Sequence, residues 1–380
     1  MFNIILLGIA SLLTDISSEM VYPILPIYLV TILGASPAIL GLIEGIAEST
    51  ASLLKVFSGY FSDKVKARKP FAILGYSAST LGKYLLFIST SWRYVLGGRV
   101  IDRFGKGVRT APRDALIADS ADIKKKGAAF GLHRAMDTVG ACIGVLSAYF
   151  LITRYKGDFK NIFLFSLVPA LLGLIFLFFI REKKSGIKSG SSGFKFKWRD
   201  LDRRLKLFLI FTFIFTLGNS SNQFLLLRAK NLGSPTPTVI LLYLAYNLVY
   251  ALVAYPAAYL SDKIGRKKIL VLGYLFYGLV YLGFAMNKSP LNLWLLFAIY
   301  GLYTGFTEGV EKALVADIAP QEVRATAIGL HAALVGIGLL PASLFAGMLW
   351  KFLGPASAFY FGGFMGVFAS VGFWFALRGI

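Results

Sequence analysis

The sequence predicts an all-α membrane protein with twelve transmembrane helices in two six-helix bundles. Apolar residues make up 57% of the 380-residue chain, more than a soluble domain keeps out of water. Charged and Pro/Gly punctuation cuts the chain into about twelve mostly apolar stretches, each near the roughly 20 residues a hydrocarbon span needs. The second half also repeats features of the first.

The stretches fall near 4–30, 37–61, 70–90, 94–118, 128–153, 159–180, 204–230, 236–260, 268–286, 291–316, 325–350 and 356–377. They are too long for barrel strands and lack strict polar/apolar alternation, so each is read as a helix. The first span lacks a basic leader and a small-residue cleavage site, and is read as retained. The long hydrophilic connection at 181–204, rich in Gly, Ser and Lys, divides the chain into a bundle at 1–180, a linker and a bundle at 205–380.

A formal charge of +21 raises nucleic-acid binding, and the distribution of that charge argues against it. Basic residues gather in every second loop: Lys64 to Lys69, Lys124 to Lys126, Lys183 to Arg204, Lys263 to Lys268, and Arg324. Such alternation is the positive-inside pattern, which predicts a multi-pass protein of the cell membrane with both termini cytoplasmic. The single cysteine, Cys142, lies within a span, so neither a disulfide framework nor a cysteine metal site is expected.

The internal repeat is specific. His133 follows Asp119 by fourteen residues, His331 follows Asp317 by fourteen, and the chain has no other histidine. Arg113-Asp114-Ala115-Leu116-Ile117-Ala118-Asp119 aligns with Glu311-Lys312-Ala313-Leu314-Val315-Ala316-Asp317 at the same offset, and Ser62-Asp63-Lys64 aligns with Ser261-Asp262-Lys263 at nearly that offset.

The run from Ala258 through Ser261-Asp262-Lys263 to Gly265-Arg266-Lys267-Lys268 resembles the G-x-L-S-D-R-x-G-R-R/K loop of the major facilitator superfamily. The first-half copy keeps Gly59, Ser62, Asp63 and Arg68 but carries Lys66 in place of the second glycine. Arg99-Val100-Ile101-Asp102-Arg103-Phe104-Gly105 is similar to that family's R-x-x-Q-G-x-G pattern, with Asp102 and Arg103 replacing Gln and Gly. The 105–114 run looks like an uncharacterised prokaryotic branch of the family. The resemblance implies two bundles related by a pseudo-two-fold axis around a midplane cavity, and transport by rocking of the halves.

Candidate site residues follow from charge in the spans, where each ion at a helix centre costs about 2.5–3.5 kcal/mol and must face protein or water. Asp15 and Glu19 lie four apart in the first span, as do Glu44 and Glu48 in the second, so each pair shares a helical face. Close carboxylates in a low dielectric resist double ionisation and suit proton coupling; the competing reading is neutralisation by neighbouring cations.

In the fourth span Arg99, Arg103, Lys106, Arg109 and Arg113 form a basic stripe, with Asp102 and Asp114 among them. The stripe either lines a cavity for an anionic substrate, to which arginine's donor fork is suited, or forms a charge lattice with the acids of neighbouring spans. Asn219, Asn222 and Gln223 in the seventh span add neutral groups for substrate or for cross-helix packing. A carboxylate at a helix end beside cations can hold helix ends together in one state and release them in another. This reading makes Gly59, Asp63, Arg68, Asp119 and His133 gating candidates, with Asp262, Gly265, Arg266, Asp317 and His331 as their second-half counterparts.

The sequence contains no Walker motif, no paired metal ligands and no nucleophile–histidine arrangement, so neither enzymatic activity nor a cofactor is expected. The expectation is a monomeric, proton-coupled secondary transporter of a small, anionic solute, whose partners are substrate, protons and membrane lipid but not nucleic acid. An exporter or flippase of amphipathic drugs or lipids is the alternative. Gly140-x-x-x-Gly144 followed by Val145 lacks the proline of the family's antiporter signature, which speaks against that export.

Overall fold

The computed structural model describes residues 2–65, 67–121, 126–182, 201–319 and 324–376. Among them twelve helices are formed, two of them broken. α1 runs Phe2–Val21 and continues through Leu25–Ile27 into a π-helical turn at Tyr28–Ile32; α2 is Pro37–Val65, α3 Lys69–Phe87, α4 Trp92–Ser120, α5 Lys126–Arg154 and α6 Phe159–Phe178. The second half comprises α7 (Arg203–Gly218 and Gln223–Asn231), α8 (Thr236–Ile264), α9 (Arg266–Met286), α10 (Leu293–Ile318), α11 (Arg324–Leu353) and α12 (Pro355–Ala376).

Local chemistry sets the boundaries. Asp158 caps α6 by accepting from the Lys160 N–H at 2.9 Å, and Asp202 caps α7 through Arg204 N–H at 2.7 Å. α1 breaks where Pro23 and Pro26 remove backbone donors. α7 breaks at Asn219, whose backbone leaves the helical region; the carbonyl left at Gly218 accepts from Tyr277 Oη at 2.7 Å. Both segments read as continuous spans in the sequence.

The chain folds as two compact units, Met1–Ala35 with Ile46–Ser191, and Ser36–Gly45 with Ser192–Ile380. The start of α2 thus belongs to the second unit. In the first unit α1 packs on α5 and α6, and α3 on α4 and α6; in the second, α7 packs on α11 and α12, and α9 on α10 and α12. The same pairings recur, as an internal repeat requires.

α1 and α5 approach closely at two glycines. A Cβ at Gly140 would stand 2.5 Å from the Leu12 carbonyl oxygen, and one at Gly144 2.5 Å from that of Ile16. The first unit's core is built on Ile4, Leu7, Tyr76, Leu116 and Leu177; the second is aromatic, with Tyr274, Tyr277, Tyr281, Phe284, Phe297 and Phe359 buried. Large apolar side chains such as Phe150, Leu252, Tyr255 and Phe364 are exposed, a surface that needs lipid. Eight of the described helices are long and apolar enough on composition alone to cross a membrane; α4, with its cations, is not among them.

Candidate functional site

α4 brings charge into the first unit, and most of it is matched. Glu48 from α2 lies 3.0 Å from Arg103 Nε and 3.8 Å from Arg99 Nη2. Asp102 takes Lys83 Nζ from α3 at 3.2 Å and Arg99 at 3.8 Å. Arg113 pairs with Asp114 at 2.9 Å and donates to Ser11 Oγ of α1 at 2.9 Å.

Two cations stand apart from this lattice. Arg109, 5% exposed, donates to Ser79 Oγ and lies over the Tyr76 ring at 4.7 Å. Lys106, three residues earlier, is exposed. Among the described residues, neither has a carboxylate within ion-pairing distance. Both act on Asp15, whose surroundings also hold Glu19 and Asp137, and Lys106 acts on Glu48 as well. The structure therefore gathers Asp15, Glu19, Glu48, Arg99, Asp102, Arg103, Lys106 and Arg109 in the first unit.

Glu44 is placed elsewhere. Fully buried, it accepts from Ser221 Oγ at 3.2 Å within the second unit, although it lies only one turn from Glu48. The α7 amides join a tyrosine network: Asn219 donates to Tyr303 Oη at 3.2 Å, Asn222 donates to Tyr246 Oη at 3.4 Å, and Tyr300 Oη donates to Asn222 Oδ1 at 2.7 Å. Tyr277 stacks on Tyr281 at 4.1 Å and meets Tyr303 at 4.9 Å. Gln223 is fully buried, and neither of its amide atoms has a hydrogen-bond partner.

At the ends bearing the basic loops the two units repeat one ion pair. Arg68 holds Asp119 and also donates to the Ala115 carbonyl at 3.0 Å; Arg266 holds Asp317 and lies 3.2 Å from Asp262. The Asp63 side chain falls outside the described residues, as do 122–125 and 183–200. Gly59 packs toward Ala111. Gly265 joins α8 to α9 at φ +99°, a backbone that side-chain-bearing residues rarely adopt. His133 lies 3.4 Å from Asp137, and His331 3.4 Å from Glu311.

Sequence reasoning missed several of these partners. Tyr274, Tyr277 and Tyr281 recur at helical spacing, which marks a face but not a hydrogen-bond network. Glu182 accepts from the backbone N–H of Arg68 at 2.6 Å and of Lys69 at 3.1 Å, capping α3, while Lys69 Nζ caps α6 through the Phe178 and Ile180 carbonyls at 2.9 and 2.7 Å. Arg228, 8% exposed, closes the end of α9 by donating to Phe284, Ala285 and Asn287 carbonyls at 3.2, 3.4 and 3.1 Å. Nothing in its sequence context marks that role.

A twelve-helix protein of two repeated bundles, with charge concentrated in the first, is the architecture of a membrane transporter. The family model of the Major Facilitator Superfamily matches residues 7–227 and 207–379, and the chain belongs to that superfamily. An uncharacterised MFS-type transporter of Methanocaldococcus jannaschii is 42% identical over 97% of this chain and 93% of its own length. A multi-drug resistance efflux pump PmrA homolog of Lactococcus lactis is 28% identical over 84% of this chain and 81% of its own. Among solved structures, the nucleoside transporter NupG superposes with a TM-score of 0.80 at 14% identity over 100% of both chains. A D-xylose-proton symporter does so with 0.73 at 16% identity over 98% of this chain and 96% of that one. The chain is a multi-pass membrane transporter of small molecules.

Proposed function

We propose that this transporter is a proton-coupled carrier of a small anionic solute, working by alternating access of its two units. It acts as a monomer in the cell membrane, with both termini on the cytoplasmic side, where the basic loops gather. Lys106 with Arg109 carries the anion reading, because among the described residues they are the cations of the Arg99–Arg113 stripe without an ion-paired carboxylate. Arg109 commits a donor to Ser79 and keeps others of its planar fork for a ligand. Asp15, which shares their surroundings, is the proton carrier: an anion arriving beside it changes the field that sets its ionisation. The gating residues at the basic-loop ends hold one state through the Arg68–Asp119 and Arg266–Asp317 pairs.

Purified protein in proteoliposomes tests both roles. Lys106→Gln and Arg109→Gln each weaken an anionic ligand about tenfold, as expected for loss of a charge-assisted contact of roughly 1.4 kcal/mol, and leave a neutral ligand unchanged; equal effects on both would remove the anion reading. Asp15→Asn abolishes uptake driven by a pH gradient and spares counterflow; unchanged gradient dependence would remove Asp15 from coupling.

The tyrosine network and the name borne by the Lactococcus lactis relative favour a second reading, export of amphipathic compounds. Under it, hydrophobic cations or lipids stabilise the protein against heat and the two α4 substitutions are silent.

A further inference from the structure

We propose that each unit carries a buried histidine–carboxylate proton-binding site, His133 with Asp137 in the first, beside Asp15 of α1, and His331 with Glu311 in the second. The inference stands independently of the solute.

The two imidazoles are the chain's only histidines, occupy equivalent repeat positions, are each 4% exposed, and each face a carboxylate at 3.4 Å. The carboxylates come from different places. Glu311 stands on α10, where the first unit's equivalent on α4 is Arg113; Asp137 stands on α5, where the second unit's equivalent on α11 is Val335. An acid present on one helix is thus missing from its counterpart and is supplied by the neighbouring helix. An imidazole kept only for its shape has no use for such an exchange, whereas one that binds a proton needs a negative group in reach, whichever helix provides it.

The surroundings leave room for the proton. His133 Nε2, Asp137 Oδ1 and His331 Nε2 are buried and lack a hydrogen-bond partner. A neutral imidazole has one donor and one bare nitrogen; the protonated ring has two donors and a charge, which turns each loose contact into a charge-assisted pair. Around His133 stand Arg113 and Asp114 from α4 and Arg134 and Asp137 from α5, and Asp15 of α1 neighbours Asp137. His331 faces Glu311 of α10, whose other oxygen accepts from Tyr274 Oη of α9 at 2.6 Å. On the His331 ring stacks Phe208 of α7, at 5.8 Å and 20°, itself packed on Phe373 of α12. A proton on His331 therefore ties α11 to α10. At His133 the added charge stays within α5, beside Arg113.

Because the chain has only two histidines, the test is direct. Full-length protein with its purification tag removed, labelled at the histidine ring and held in nanodiscs, is titrated by NMR, with His133→Asn and His331→Asn assigning the signals. Each ring is expected to take up a proton when the sample is acidified. Asp137→Asn is expected to move the His133 transition and leave that of His331 in place, and Glu311→Gln the reverse. Rings that stay in one protonation state throughout the titration, or transitions that ignore the removal of their carboxylate, overturn the proposal. Where a variant does not fold, the wild-type titration alone decides.

Discussion

Asp102 and Lys83 meet at 3.2 Å, 6% and 2% exposed, on helices that would each be costly to bury with a lone charge. Removing one partner of such a pair strands the other, at a cost of about 3–5 kcal/mol, whereas replacing both by apolar groups of similar size is close to neutral. Asp102→Asn is therefore expected to lower the unfolding temperature in detergent far more than the double variant Lys83→Met, Asp102→Leu. A double variant no more stable than Asp102→Asn would instead make the Asp102–Arg99 contact the one that counts for stability. Arg109 is the contrast within the same helix. It is as buried as its neighbours but is held by a hydroxyl and a ring face, so its replacement is expected to show in ligand binding more than in stability. Which cations were matched was not legible in the sequence. Spacing places Arg99, Arg103, Lys106 and Arg109 along one stripe, but the matching depends on Lys83 and Glu48, which come from other helices.

Glu44 and Glu48 make the same point for whole elements. Four residues apart on α2, they share a helical face, yet one is held by Ser221 and the other by Arg103 and Arg99. The periodicity gives the face, and only the packing gives the neighbour. Helix positions and repeat symmetry were legible because hydropathy and Pro/Gly punctuation are local signals. The proline break in α1 was visible in Pro23 and Pro26 but read as part of a continuous span. The break in α7 had less to announce it, since Tyr277, which satisfies the opened Gly218 carbonyl, arrives from α9. The α1–α5 contact has its own test. Gly144→Val places methyl groups where the Ile16 carbonyl already stands 2.5 Å from an added Cβ, so the helices must part, at about 1–3 kcal/mol. The expected result is a clear drop in thermal stability; an unchanged midpoint would mean that α1 and α5 do not need this approach.

At the scale of the molecule, orientation is carried by loops rather than by helices. Cysteine labelling reads it cleanly, because Cys142→Ser leaves no native thiol. A single cysteine introduced in the 183–200 linker is expected to react with an impermeant maleimide only when the cytoplasmic face is open to it, and labelling of intact cells would reverse the topology. The first unit, for its part, fastens its own end to its beginning. The side chain of Asn3 donates to the Arg181 carbonyl at 2.8 Å and accepts from the Arg181 N–H at 3.2 Å, and Glu182 caps the helix that starts at Lys69. Every residue of these clasps precedes α7 in the chain. The order of synthesis thus lets the N-terminal bundle's clasp close in the bilayer while the other bundle is still being made.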